Sequence, residues 1–142
     1  HIYYWGDEHR AKTMGPDRAK RANAAATAQR LGVPFAIHSD APVTPLGPLF
    51  TAWCAVNRLT ASGYLLGPNE RISSAEALRA ITLGAAYSMK MDHDIGSIEV
   101  GKRADFAVLE EDPMAVAPID LRDVPVWGTV LGGKVFAAQE GT

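Results

Sequence analysis

The chain has 142 residues, 47% of them apolar and 21% charged, so it can bury a core and lacks the composition of a disordered segment. A net charge of −2 argues against nucleic acid as the main partner, and no apolar run reaches the roughly 18–20 residues that cross a bilayer. The one cysteine, Cys54, excludes an intrachain disulfide and fits a reducing, cytoplasmic compartment. No signal peptide is visible, but the chain begins at His1 rather than Met, so its native start and any export signal stay open. Charge is unevenly spread. Residues 1–90 carry 10 Lys/Arg and 6 Asp/Glu, and residues 91–142 carry 4 and 10. This split points to two differently built segments, 1–92 and 93–142.

In chain order, His1-Ile2-Tyr3-Tyr4-Trp5 is rich in β-formers and is stopped by Gly6-Asp7, which predicts a strand. The loop to Gly15 carries Asp7, Glu8, His9 and Arg10. Loops at strand ends often hold function, and solvated surface uses the same residues. Gly15-Pro16-Asp17 reads as a helix start, with Pro in the first turn and Asp at the positive amino end; Gly32 is its stop after Leu31. Its basic residues, Arg18, Lys20, Arg21 and Arg30, fit a solvated outer face better than an anionic partner.

Val33 to Ile37 is a short apolar strand that runs into His38-Ser39-Asp40 and then a loop with Pro42, Pro45 and Pro48. Strand, loop, helix and strand predict a crossover between parallel strands, whose chemistry sits beyond their carboxyl ends. Period-two alternation puts Ala36, His38 and Asp40 on one face, so an imidazole and a carboxylate leave the strand on the same side. Asp40 has two readings: a turn capped by its side chain, or a catalytic group. The same geometry predicts that His1, Asp7, His9, His38 and Asp40 converge on one rim.

Leu46 to Asn57 has helical apolar spacing and ends near Arg58. Cys54 within it reads as a buried, inert thiol. Gly63 and Gly67-Pro68-Asn69 mark loops. Ser73-Ser74-Ala75-Glu76 is a capping box ahead of a helix over residues 75–82, and Gly84 precedes a second short helix over 85–89. Small residues such as Ala77, Ala80 and Gly84 predict close helix packing. After Met91, residues 95–100, 104–109, 125–131 and 134–138 read as short strands, with tight turns at Gly101-Lys102 and Gly132-Gly133. They predict a small antiparallel sheet. His93 lies outside any motif and reads as surface.

Four stretches give the order of these pieces a recognisable form: the opening His1-Ile2-Tyr3-Tyr4-Trp5-Gly6-Asp7 with Gly15-Pro16-Asp17-Arg18, His38-Ser39-Asp40-Ala41-Pro42-Val43, Ser74 to Thr82 with Ala85-Ala86, and Ile95 to Leu109 with Asp112-Pro113. Together they resemble the carboxyl-terminal part of the amidohydrolase superfamily, most of all its family 3 branch, which includes N-substituted formamide deformylases. The resemblance implies an α/β fold: the carboxyl-terminal fragment of a (β/α)8 TIM barrel over residues 1–92, and part of a small β-sandwich over 93–142. Ile2–Trp5 would match the seventh barrel strand and Val33–Ser39 the eighth. It implies a metal-dependent hydrolase acting on a non-peptide carbon–nitrogen bond of a small amide-type substrate. Asp40 matches the aspartate that binds a divalent metal, zinc by resemblance, and takes a proton from the attacking water. His38, one layer deeper, would be a supporting hydrogen-bond partner or a buried histidine with no special role; His1, Asp7 and His9 would contact the substrate or support the residues that do.

No His-x-His occurs in the chain, so the other metal ligands are expected outside it, and two of eight strands cannot close a barrel. The expectation is a fragment that is inactive alone and self-associates through open strand edges and apolar faces. Two other readings compete: a non-catalytic binding or regulatory module, and a cyclic amidohydrolase or deaminase.

Overall fold

The computed structural model describes residues 1–138, which combine short α-helices with one antiparallel sheet. Helix α1 spans Ile2–Glu8 and passes into a π-helical turn at His9–Thr13. Helices α2 (Pro16–Ala19), α3 (Ala25–Arg30) and α4 (Pro48–Asn57) follow. A 3-10 turn at Pro68–Glu70 leads to α5 (Ser74–Ile81) and α6 (Leu83–Ser88). The sheet runs β1 (Phe106–Leu109), β2 (Val126–Leu131), β3 (Lys134–Ala137), with a second 3-10 turn at Pro118–Asp123 between β1 and β2.

Helix α4 organises the core. Its Ala52, Trp53 and Val56 pack with Ala25, Ala26, Ile72, Ala77 and Leu121. The Trp53 indole N–H donates to the Ile119 carbonyl at 2.6 Å, and Asn57 Nδ2 donates to the Pro118 carbonyl at 2.8 Å. Buried polar groups need such partners. The 118–123 turn is thereby seated on α4, with the Arg122 guanidinium 4.4 Å from the centre of the Trp53 ring system.

Arg58 ends α4 in the left-handed region (φ 54) and is only 1% exposed. Its Nε donates to Leu66 O (2.7 Å), Nη1 to Asn23 O (3.0 Å) and Nη2 to Ala22 O (2.8 Å). Burial lowers its pKa, and the nearby Glu70 charge works the other way. Glu70, also buried, accepts the Thr27 amide (2.9 Å) and hydroxyl (2.5 Å). These two charges tie residues 22–27 to residues 58–70.

The helix over Leu46–Asn57, the Ser73 capping box and the terminal sheet are present as expected. Ser73 Oγ accepts from Glu76 N, and Glu76 Oε2 accepts from Ser73 N at 2.7 Å. Leu131 pairs with Lys134 across Gly132-Gly133. Both glycines have positive φ (57 and 81), as a type I′ hairpin turn demands.

Four expectations are corrected. Residues 2–8 are helical, not a strand. No parallel neighbour lies beside them among the described residues, and a helix pairs its own backbone, beginning with Trp5 N to His1 O at 2.9 Å. The aromatic residues serve that helix well: the Tyr3 ring meets Phe50 edge-to-face at 5.1 Å. The helix expected over 16–31 is broken at Asn23, whose φ is 50, because the Arg58 guanidinium claims the carbonyls of Ala22 and Asn23. Residues 33–40 form neither helix nor strand, so the parallel crossover is absent and the only sheet described is antiparallel. Residues 95–100 are bends and irregular chain ending in a turn, not a strand. Gly96 and Gly101 are left-handed, and Lys102 Nζ binds Ser97 Oγ (2.6 Å) and sits 3.3 Å from Glu99 Oε1. Local side-chain bonds there replace a ladder, and Ile98 is left 84% exposed. Residue 138 lies past the end of β3, and residues 139–142 are outside the described part.

Candidate functional site

The amino end of α1, the segment 36–40 and one stripe of α4 enclose a cleft of about 290 Å3. His1 caps α1 and projects from its end. Helix α4 contributes Thr51, Cys54 and Ala55, and Arg58 follows at its end; the spacing i, i+3, i+4, i+7 is one helix face. Ile2, Asn23, Ala25, Ala36 and Ile37 complete a mostly apolar wall around His38 and Asp40.

Three of the five expected residues meet here. His1 Nε2 lies 4.0 Å from Asp40 Oδ2, both half-exposed. The Asp40 amide donates to His38 Nδ1 at 3.0 Å. That bond makes Nδ1 the acceptor and leaves Nε2 as the protonated nitrogen of a neutral ring. Asp40 sits in the left-handed region (φ 59), a conformation that Asp tolerates better than most residues. A turn does form here, but its bond runs from Val43 N to the Asp40 main-chain carbonyl at 2.8 Å. The Asp40 carboxylate is thus free of capping duty and faces His1 across the cleft mouth. Thr44 Oγ1 donates to the Ser39 carbonyl and pins the loop that follows.

Asp7 and His9 do not reach the cleft. Asp7 Oδ1 accepts the hydroxyls of Thr60 (2.9 Å) and Ser62 (2.8 Å), and Oδ2 accepts the Ser62 amide (3.1 Å). Partial desolvation raises its pKa, but those hydrogen bonds and Arg10 outweigh it and hold the carboxyl below its usual value. The Asp7 bonds fasten α1 to the 60–62 turn, together with a bond from Ala61 N to Tyr3 O. His9 Nδ1 pairs with Thr13 Oγ1 at 2.8 Å. The predicted convergence is therefore partial, because a helix in place of the first strand carries Asp7 and His9 away from its amino end.

Cys54 lines the cleft without being a nucleophile. Burial pushes its thiol up to about 11, against the pull of Arg122 and the Tyr3 amide, and the thiolate is the reactive form. Arg58 was read only as a helix end, yet it forms part of the cleft floor with its guanidinium occupied by three carbonyls. The signal for both was the 51, 54, 55, 58 stripe. Among the described residues no group of three or more His, Cys, Asp or Glu is placed to hold a metal ion. With His38 Nδ1 engaged, His1 and Asp40 are the two donors facing each other, so these residues do not make a metal centre by themselves. No described helix is long and apolar enough to cross a membrane.

Of three known proteins similar to this chain, one is named a deformylase, one a putative amidohydrolase, and the third has a name that states no activity. N-substituted formamide deformylase of Arthrobacter pascens is 38% identical over 111 residues, 78% of this chain and 20% of its own length. A putative amidohydrolase, YtcJ, of Bacillus subtilis is 34% identical over 86% of this chain and 24% of its own. Protein LONG AFTER FAR-RED 3 of Arabidopsis thaliana is 34% identical over 87% and 21%. The chain thus spans about a fifth to a quarter of these relatives. No solved structure matches it. The family model described as the amidohydrolase family matches residues 1–137, and with nearly the whole sequence inside that match, the chain belongs to the amidohydrolase family.

Proposed function

We propose that this chain is part of a hydrolase that cleaves a non-peptide carbon–nitrogen bond in a small amide-type substrate. The observation that carries the reading is the uncapped Asp40 carboxylate at the mouth of an apolar-walled cleft, in a chain of this family. Asp40 is the group we assign to proton transfer. It accepts a proton as water attacks the carbonyl-type carbon, and returns one to the departing nitrogen. His38 holds the Asp40 backbone, and His1 stands where a polar substrate atom would approach. The relative named as a deformylase of N-substituted formamides supports an amide over other carbon–nitrogen substrates.

On this reading residues 1–92 belong to a TIM barrel and 93–142 to a β-sandwich. Asp40 is one donor to a divalent ion, zinc by the family resemblance, with its other donors beyond those described. Two donors bind divalent ions loosely, so the 142-residue chain alone is expected to take up zinc substoichiometrically and to show no amide turnover. Metal analysis after dialysis, with an amine-release assay, checks both; stoichiometric zinc with turnover contradicts them. In an active protein that contains this chain, Asp40→Asn should lower kcat by roughly a hundredfold to ten-thousandfold, the usual weight of a general base. KM should change little. A variant with the parent's circular dichroism and full turnover would remove Asp40 from the mechanism.

A further inference from the structure

Among the described residues between Ala26 and Ala52, one alone is buried, and it is polar: Thr44 is 6% exposed. A buried hydroxyl needs a hydrogen-bond partner, and that of Thr44 donates to the Ser39 carbonyl. This carbonyl belongs to the same peptide unit as the Asp40 N–H, which donates to His38 Nδ1 at 3.0 Å. Side chains thus grip the Ser39–Asp40 peptide plane at both ends. The next plane is held as well, because the Asp40 carbonyl accepts the Val43 amide at 2.8 Å. Peptide units are rigid, so fixing the planes on either side of a Cα fixes its φ and ψ, and with them the direction of the side chain. Asp40 needs such fixing. Its φ of 59 lies where residues other than glycine persist only if neighbouring contacts over-determine them. Arg58 and Lys90 share that region but follow helices, where it is a common terminus; Asp40 ends no helix. All three bonds are made within residues 38–44 and call on no other part of the chain.

We propose that Thr44 is a positioning residue, whose buried hydroxyl sets the Ser39–Asp40 peptide plane and thereby aims the Asp40 carboxylate across the cleft mouth towards His1. Thr44 does not line the cleft, so it acts through the backbone alone. Without the hydroxyl, the Ser39 carbonyl turns to water and one end of the plane is released. Asp40 then relaxes towards an ordinary negative φ, which swings its carboxylate away from its place 4.0 Å from His1 Nε2. The effect on turnover rests on the reading of Asp40 as the proton-transfer group. Such a group must stay within hydrogen-bond reach of the water it serves, and a misplacement of about 1 Å can cost about a hundredfold in rate.

NMR on the 142-residue chain tests the aim without any turnover. In the unaltered chain the Thr44 hydroxyl proton should exchange slowly enough to be seen, and Asp40 should show the intense amide-to-Hα Overhauser contact of a left-handed residue. Thr44→Val keeps the side-chain shape without the donor, so the Asp40 contact should fade while the helical circular dichroism stays. Thr44→Ser should retain the contact. In an active protein that contains this chain, Thr44→Val should lower kcat about tenfold to a hundredfold with KM little changed, and Thr44→Ser should restore most of it. A Thr44→Val chain that keeps the Asp40 contact overturns the proposal. Full kcat in Thr44→Val where Asp40→Asn is impaired overturns it too, as does a loss equal in Thr44→Val and Thr44→Ser. If Thr44→Val does not fold, the other two chains decide: a fast-exchanging hydroxyl in the parent, or a Thr44→Ser chain without the Asp40 contact, overturns it. Full turnover in Asp40→Asn sinks the proton-transfer reading instead, and the NMR comparison still judges whether Thr44 aims Asp40.

Discussion

At the scale of single residues, the charges that matter most to this fold are away from the cleft. Glu70 is desolvated, which alone would raise its pKa. The Thr27 hydroxyl and amide, with Arg30 and Arg58, more than offset this and hold it below its usual 4.5. A carboxyl depressed in the folded state stabilises above its unfolded pKa, and the stabilisation is lost as pH falls through the folded value. Asp7 shares this sign. The chain should therefore be flat in stability near neutrality and weaken below about pH 4–5. Glu70→Gln should lower the neutral-pH melting temperature and flatten the acid limb; thermal melts at stepped pH measure both. An acid limb as steep in Glu70→Gln as in the parent would remove Glu70 as its source.

The elements separate what a sequence encodes locally from what it does not. The capping box needed only Ser73 and Glu76, three residues apart, and the Gly132-Gly133 turn only two glycines between apolar runs. Such signals are legible because the partners are sequence neighbours. Ser73→Ala should cost about 1 kcal/mol, a typical N-cap loss, read as a shift of the denaturation midpoint with the slope unchanged. Strands are different. Whether Tyr3-Tyr4-Trp5 or Phe35-Ala36-Ile37 becomes a ladder depends on a second strand, and no local feature supplies one. Residues 2–8 turned helical and 33–40 stayed irregular for want of it. Local rules also missed Arg58, since its carbonyl partners Ala22 and Asn23 lie 36 and 35 positions away. In the cleft, His38 and Asp40 were legible from their near adjacency. The approach of His1 to Asp40 follows from tertiary packing of α1 against Phe50 and the 60–62 turn.

Across the whole molecule, the acidic carboxyl-terminal stretch is anchored in the core that the earlier helices build. Leu121 from the acidic half is buried in the core that α4 builds. The connector at residues 110–117 is largely exposed and bears Glu110, Glu111 and Asp112. The seat of the 118–123 turn on α4 makes Trp53 a built-in optical gauge of that union. Its indole N–H is held by the Ile119 carbonyl and its ring is covered by Arg122, so in a chain with Trp5 and Trp127 replaced by Phe its emission reports whether the carboxyl-terminal piece is in place. A chain nicked by protease within 110–117 should keep its two pieces together and emit like the intact protein. Denaturant should then shift the spectrum to the red at a lower concentration than in the uncut chain, because the two pieces can now diffuse apart. A red shift at the moment of cutting would mean that the covalent link, rather than the seat on α4 and the pairing of β1 with β2, holds the two pieces together.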